Sequence, residues 1–286
     1  MRIGLCTTDF SAPLPARELF RRISAMGYDA VQLAFASVSE CGFRESPHIE
    51  IPESVSVSAI DAILKASSEF SLPIGAVNGT WNMAHGDEEV RLEGLKRLGP
   101  FLDAVAELGV KIVSLCSGTR SSYSLWSSDN RNIEIYAWND MAESMKRACE
   151  DAEARDITLA IETEASNIID TPEKARRIMD EVGSDKLKMI LDGANLFHKG
   201  EAKKENVRPA LDLAFRYFGR DIVLAHGKDI REGNGIDFCG TGFGIVDFPY
   251  MLEKLREIDY PGDMMLHGIF DEKDMVTCLQ YMKSIM

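Results

Sequence analysis

A chain of 286 residues can bury a substantial core and falls within the range of one α/β barrel. Its 45% hydrophobic and 27% charged residues exclude a disordered chain, and 46 acidic against 32 basic side chains leave a formal charge of −14, which opposes nucleic acid as a partner. The opening MRIGLC runs straight into an apolar segment, with no stretch suited to a signal peptide or membrane span, so a cytoplasmic protein without a membrane partner is expected.

Short apolar runs alternate with longer segments of helical period. The first run, RIGLC (2–6), is followed by a stripe of Leu19, Phe20, Ile23 and Met26 that ends at Gly27, a natural residue just past a helix. AVQLAF (30–35) and PIGAV (73–77) follow, and then a stripe of Val90, Leu95, Leu98, Leu102, Val105 and Leu108 ended by Gly109. KIVSL (111–115) leads to Ile135, Trp138, Met141, Met145, Ala148 and Ala152 at helical spacing. ITLAI (157–161) precedes Thr171-Pro172, a cap followed by proline at the first helical position. LKMIL (187–191), DIVLA (221–225) and DMMLH (263–267) complete eight strand candidates, with helical stripes at Phe248–Ile258 and at Met275, Leu279 and Met282. Helices between strands 2 and 3 and between strands 6 and 7 are less sharply marked. Six cysteines without paired spacing read as small apolar fillers.

Runs this short and this apolar suit parallel strands buried on both faces. At about 36 residues per strand-plus-helix unit, they predict a single (β/α)8 TIM barrel over residues 1–286. A doubly wound sheet would call for GxGxxG after an early strand. The only glycine-rich stretch, GTGFG (240–244), follows strand 7 and does not match a nucleotide loop.

In such barrels the chemistry sits where the strands end. Strand 5 ends on Glu162, strand 6 on Asp192, strand 7 on His226 and strand 8 on His267, spaced 30, 34 and 41 residues apart and so on adjacent strands. Two carboxylates and two imidazoles at one mouth make a divalent-metal site, suited to Mn²⁺, Zn²⁺, Co²⁺ or Fe²⁺ more than to Mg²⁺. Taken singly, each carboxylate also serves as a helix cap and each histidine as a partner for a carbonyl. Asn78, His85, Arg120, Glu164, Asn195, His198 and Lys228 are candidates for substrate contacts, Arg120 because it follows a Ser/Gly/Thr-rich turn. Lys228 shares the face of His226 if strand 7 continues, and is otherwise a surface lysine. Trp81 and Trp126 either wall the site or pack.

GYDAVQL (27–33), NMAHGDEEVR (82–91), LGVKIVSLCSGTR (108–120), LAIETE (159–164), MILDGANLF (189–197), LAHGKD (224–229) and GTGFGIVDF (240–248) together make the chain resemble the sugar-phosphate isomerase/epimerase family of xylose isomerase-like TIM barrels. The abasic-site endonucleases are related to these, but their trinuclear site needs more than the five histidines present here. The resemblance implies a metal held by Glu162, Asp192, His226 and the residue on the last strand, with proton transfer through an enediolate by Glu162 and that same last-strand residue. In the resembling epimerases the last position is a glutamate; here it is His267. A ring nitrogen committed to the metal cannot shuttle a proton, so one-base isomerisation or metal-assisted dehydration of the inosose type is expected more readily than two-base epimerisation. A non-catalytic carbohydrate-binding barrel is a further alternative. The implied partners are a sugar or sugar phosphate and one divalent ion, in a homodimer or homotetramer.

Overall fold

A computed structural model describes residues 1–286. Eight parallel strands close into a barrel: β1 (Ile3–Cys6), β2 (Ala30–Leu33), β3 (Ile74–Asn78), β4 (Ile112–Cys116), β5 (Thr158–Glu162), β6 (Leu187–Asp192), β7 (Ile222–Ile230) and β9 (Met264–Leu266). β7 pairs with both β6 and β9, and β9 with β1, which joins the two edges of the sheet. The helices α1 (Ala16–Met26), α2 (Val57–Glu69), α3 (Glu88–Glu107), α4 (Ile135–Glu153), α5 (Pro172–Val182), α6 (Lys204–Phe218), α7 (Phe248–Glu257) and α8 (Met275–Ile285) alternate with them. The (β/α)8 expectation holds, and α2 and α6 supply the two helices that the sequence marked least. No helix is long and apolar enough to cross a membrane.

Local chemistry sets the helix ends. Thr171 accepts the Lys174 N–H and Pro172 opens α5, while Gly27 and Gly183 close α1 and α5 in the left-handed conformation. Most of the core lies between strands and helices, where 73 buried residues form one cluster; a second, of seven residues, fills the barrel interior. Ala30, Ala76 and Ala160 stay small there so that Ile190, Leu224 and Met265 fit between them. Strand alternation carries the same inward face one step further, to Gln32, Asn78, Glu162, Asp192 and His226, so the floor of the mouth is polar.

Two strand ends differ from expectation. β9 ends at Leu266, so His267 stands one residue past the strand rather than on it. β7 runs on to Ile230 because β8 (Phe238–Gly240), a strand the sequence did not mark, folds back antiparallel against it. The buried Asp229 carboxylate fixes that hairpin by accepting the N–H groups of Ile230, Gly242, Gly244 and Val246. The glycine-rich GTGFG stretch thus wraps a carboxylate of its own chain.

Candidate metal centre

A cavity of about 810 Å³ opens at the C-terminal ends of the strands. At its floor the register sets Asp192 directly beside His226, with Glu162 one strand away. Candidate ligand atoms of Glu162, Asp192 and His226 all lie within 4.8 Å of one another, and all three residues are buried. His226 Nδ1 is 3.0 Å from Glu162 Oε2 and 3.7 Å from Asp192 Oδ2.

The surrounding bonds aim these atoms at one point. Asp192 spends Oδ1 on the backbone N–H groups of Ala194 and Asn195, and Asn195 donates its side-chain amide to Glu162 Oε1. The ring of His226 donates from Nε2 to Gln32 Oε1 at 2.9 Å, which turns Nδ1 toward the carboxylates. Gln32 is held in turn by Asn78 and Ser114. Three buried atoms of the cluster make no hydrogen bond, Asp192 Oδ2, His226 Nδ1 and Asn195 Oδ1, and the first two, which have only charged neighbours at 3.0–3.7 Å, face the same point. Orphaned polar atoms are costly in a protein interior. An oxygen, a nitrogen and a second carboxylate oxygen at this spacing fit a divalent cation.

Without an ion the cluster balances its own charge. Lys228, only 5% exposed, reaches to 3.3 Å from Asp192 Oδ2 and 3.9 Å from Glu162 Oε1. Burial opposes its charge, but Asp192 and Glu162 outweigh burial and hold the ammonium above its usual range. Burial likewise disfavours the His226 imidazolium, yet Glu162 and Asp192 push it up to about 9. Asp192 drops to about 2 because Lys228 and His226 outweigh its burial.

Of the residues expected to contact substrate, Asn78, Glu164 and Lys228 line the cavity, and Asn195 sits behind Glu162. Burial raises the Glu164 carboxyl, against the pull of Lys228. Three others lie away from the cavity. Arg120 is buried with its guanidinium on Asp140 at 2.5 Å and on the His85 carbonyl, over the Tyr136 ring. The ring of His85 stacks on His48, and that of His198 bonds to the Asp170 carbonyl. Trp81 packs against Gly94 in the core, whereas Trp126 lines the cavity and donates its indole N–H to Glu50. His267 also lines the cavity but stands outside the metal cluster. Its ring centre is 5.6 Å from that of His226, and its Nδ1 is bonded to Asp9. Asp9, Gln32 and Glu50 carried no expected role. Of these only Gln32 had a usable signal, a polar side chain on the inward face of an apolar strand.

Residues 20–285 match the family model described as the xylose isomerase-like TIM barrel. The 3-dehydro-D-guloside 4-epimerase of Escherichia coli (strain K12) is 27% identical over 282 residues, which span 96% of this chain and 94% of that protein. Among solved structures, the 3-keto-D-glucoside 4-epimerase of E. coli in its apo form superposes with a TM-score of 0.74 at 20% identity over 99% of each chain. The IOLI protein with a bound zinc atom superposes with a TM-score of 0.73 at 17% identity, covering 100% of this chain and 96% of that one. At such identities the two structures speak to the fold.

Proposed function

The chain belongs to the xylose isomerase-like TIM barrel family, and from that premise we propose that it is a divalent-metal-dependent sugar isomerase or epimerase with Glu162 as the base. One observation carries this reading: the buried triad of Glu162, Asp192 and His226, with Asp192 Oδ2 and His226 Nδ1 turned to a common point and neither making a hydrogen bond. Glu162, Asp192 and His226 would hold the ion, which when bound polarises a carbonyl and steadies the negative charge that develops on its oxygen.

The chain's own residues supply the rest. The Glu162 carboxylate takes the proton from the carbon beside the substrate carbonyl, leaving an enediolate. The Asn195 amide keeps that carboxylate turned to the site. Lys228, buried and charged, sits where it would neutralise a substrate oxyanion, and Glu164 is placed to hold a hydroxyl. The cavity wall carries seven carboxyl groups, of which burial raises Glu45, Glu50 and Glu164 toward the neutral form, and its only lysine or arginine is Lys228, already beside Asp192 and Glu162. A wall without a cluster of free cations offers a phosphate little to bind and favours an unphosphorylated sugar. The similarity to a 3-dehydro-D-guloside epimerase supports a substrate that carries a ring ketone.

Proton exchange tests the reading. Protein loaded with Mn²⁺ should wash deuterium from heavy water into a panel of ketoses and 3-keto-glucosides, and Glu162→Gln should slow that exchange by about 10³-fold or more. Exchange by Glu162→Gln at the wild-type rate would remove the base. A dehydratase on the same barrel would show as loss of water from an inosose in the same panel.

A further inference from the structure

A cavity of about 810 Å³ lies toward the upper end of the range that encloses drug-sized ligands. A single six-carbon sugar is smaller than such ligands, whereas a two-ring sugar is of their size. The Glu162, Asp192 and His226 cluster occupies the floor below β5, β6 and β7, so the wall above β3 and β4 is free for another part of a substrate.

That part of the wall carries Trp126. The indole is 47% exposed, lines the cavity and belongs to neither apolar core cluster, so packing does not account for it. It is nonetheless held in place. Leu125, before it, is fully buried and donates its backbone N–H to the Pro47 carbonyl at 2.9 Å; the Trp126 N–H goes to Ser124 Oγ and the indole N–H to Glu50 Oε1 at 2.8 Å. The Pro47–Glu50 segment is itself tied to the end of β3, through the bridge of Ile49 with Trp81 and the bond from the Glu50 N–H to the Thr80 carbonyl. Phe270, the other strongly exposed aromatic residue of the wall, has no polar atom to fix its ring.

The groups beside the indole suit hydroxyls. Glu50 spends one carboxyl oxygen on Trp126 and leaves the other without a partner in the chain, and Glu45 on the same wall makes no hydrogen bond or ion pair. With its carboxyl pushed up to about 8, Glu50 near pH 7 can donate to a hydroxyl oxygen as well as accept from a hydroxyl. The C–H face of a pyranose ring is weakly positive and matches the negative face of an indole. Trp126 follows β4, and Cys116 at the end of β4 pairs with Glu162, which places this wall one strand from the proposed base.

We propose that Trp126, flanked by Glu50 and Glu45, is a second sugar subsite, on which the non-reacting ring of a two-ring glycoside stacks while the reacting ring lies over Glu162, Asp192 and His226. The proposal rests on the isomerase reading above and narrows its substrate class to glycosides whose second ring is itself a sugar. An indole fixed before the ligand arrives loses little freedom on binding.

The test uses the full chain loaded with Mn²⁺ and four probes: methyl and phenyl 3-keto-glucoside, and cellobiose and maltose oxidised at C3 of the non-reducing ring. Trp81 and Trp138 are buried, so a change of tryptophan fluorescence on binding reports Trp126 and gives a Kd for each probe. At least one two-ring sugar should bind about 10–100-fold tighter than the methyl glycoside. Trp126→Ala should bring that ratio, read by calorimetry, down to about one, and Trp126→Phe should leave an intermediate ratio. Both should keep the wild-type melting point, since the indole lies outside the core. Tyr123→Ala, on the same exposed loop but away from the cavity wall, should bind every probe as the wild type does. A wild-type ratio near one, or a ratio that survives Trp126→Ala, would overturn the subsite. Tighter binding of the phenyl glycoside alone would overturn the assignment of its occupant as a sugar. Two-ring sugars that bind through Trp126 yet exchange no deuterium in heavy water would sink the isomerase reading and leave the subsite standing.

Discussion

Glu50 stands in the cavity wall, accepting the Trp126 indole N–H at 2.8 Å. Burial and the nearby Glu45 carboxylate push its own carboxyl up to about 8, against the Trp126 bond. A folded-state value raised above the ordinary 4.5 means that Glu50 favours the folded state fully below about pH 4.5 and that this contribution is lost as pH rises through about 8. Because the side chain is partly open to solvent, the effect is about 1–3 kcal/mol rather than the full shift. Glu50→Gln preserves an acceptor for Trp126 and removes the titration. Thermal melts of both proteins should coincide near pH 5 and separate near pH 9, where the variant should melt several degrees higher; equal melting at both ends would contradict a buried neutral carboxyl. At this scale the sequence showed Glu162, Asp192 and His226 because each is a polar residue ending an apolar strand, on three strands that are neighbours in order. Asp9 was invisible by the same logic: it lies on a turn, and its partner His267 is 258 positions away. Arg120 misled for a physical reason, since a Ser/Gly/Thr turn resembles an anion cradle until Asp140, on α4, takes the guanidinium.

Lys228 can belong to the site only because β7 outruns its apolar segment. DIVLA (221–225) reads as the whole strand, yet pairing with β8 holds the backbone extended to Ile230 and keeps Lys228 on the face of His226. The extension depends on Asp229, whose four accepted backbone bonds no apolar pattern reveals. Asp229→Ala would strand four N–H donors in a buried turn, and the loss should be about 3–5 kcal/mol even if some of them recover water. Urea unfolding measures that loss. Hydrogen exchange should localise it, with Gly242, Gly244 and Val246 opening first while amides of β5 and β6 stay protected. Uniform loosening of the whole barrel would mean that the hairpin is not an independent clasp. Lys228 should drift from Asp192 in the same variant, which links the glycine-rich stretch to the Glu162, Asp192 and His226 cluster through a strand.

The barrel as a whole was legible because its eight-fold repeat of short apolar run and helical stripe leaves few other arrangements; closure between β7, β9 and β1 is what turns separate strand ends into one acidic floor. With an ion at the proposed site, that floor should couple the stability of the whole molecule to pH and to metal in opposite directions. His226 is held at about 9, above its ordinary 6.5, so without an ion its stabilising charge is fully present below about pH 6.5 and is lost as pH rises through about 9. An ion at the proposed site would take the place of that proton, because Nδ1 can coordinate only when bare, so its binding should release a proton and tighten over the same interval. Asp192, already at about 2, stays ionised throughout and adds no slope there. Chelated protein should therefore melt at a lower temperature near pH 9 than near pH 6, and Mn²⁺ should raise the melting point more at the higher pH. An ion at about 100 times its Kd adds about 2.7 kcal/mol, or about 5–10 °C for a chain of this size. Scanning calorimetry with and without the ion at both pH values checks this. A metal-induced shift that is the same at both would show that the His226 proton is not what the ion displaces, and Asp192→Asn, which removes a charge at the binding point, should abolish the shift at either pH.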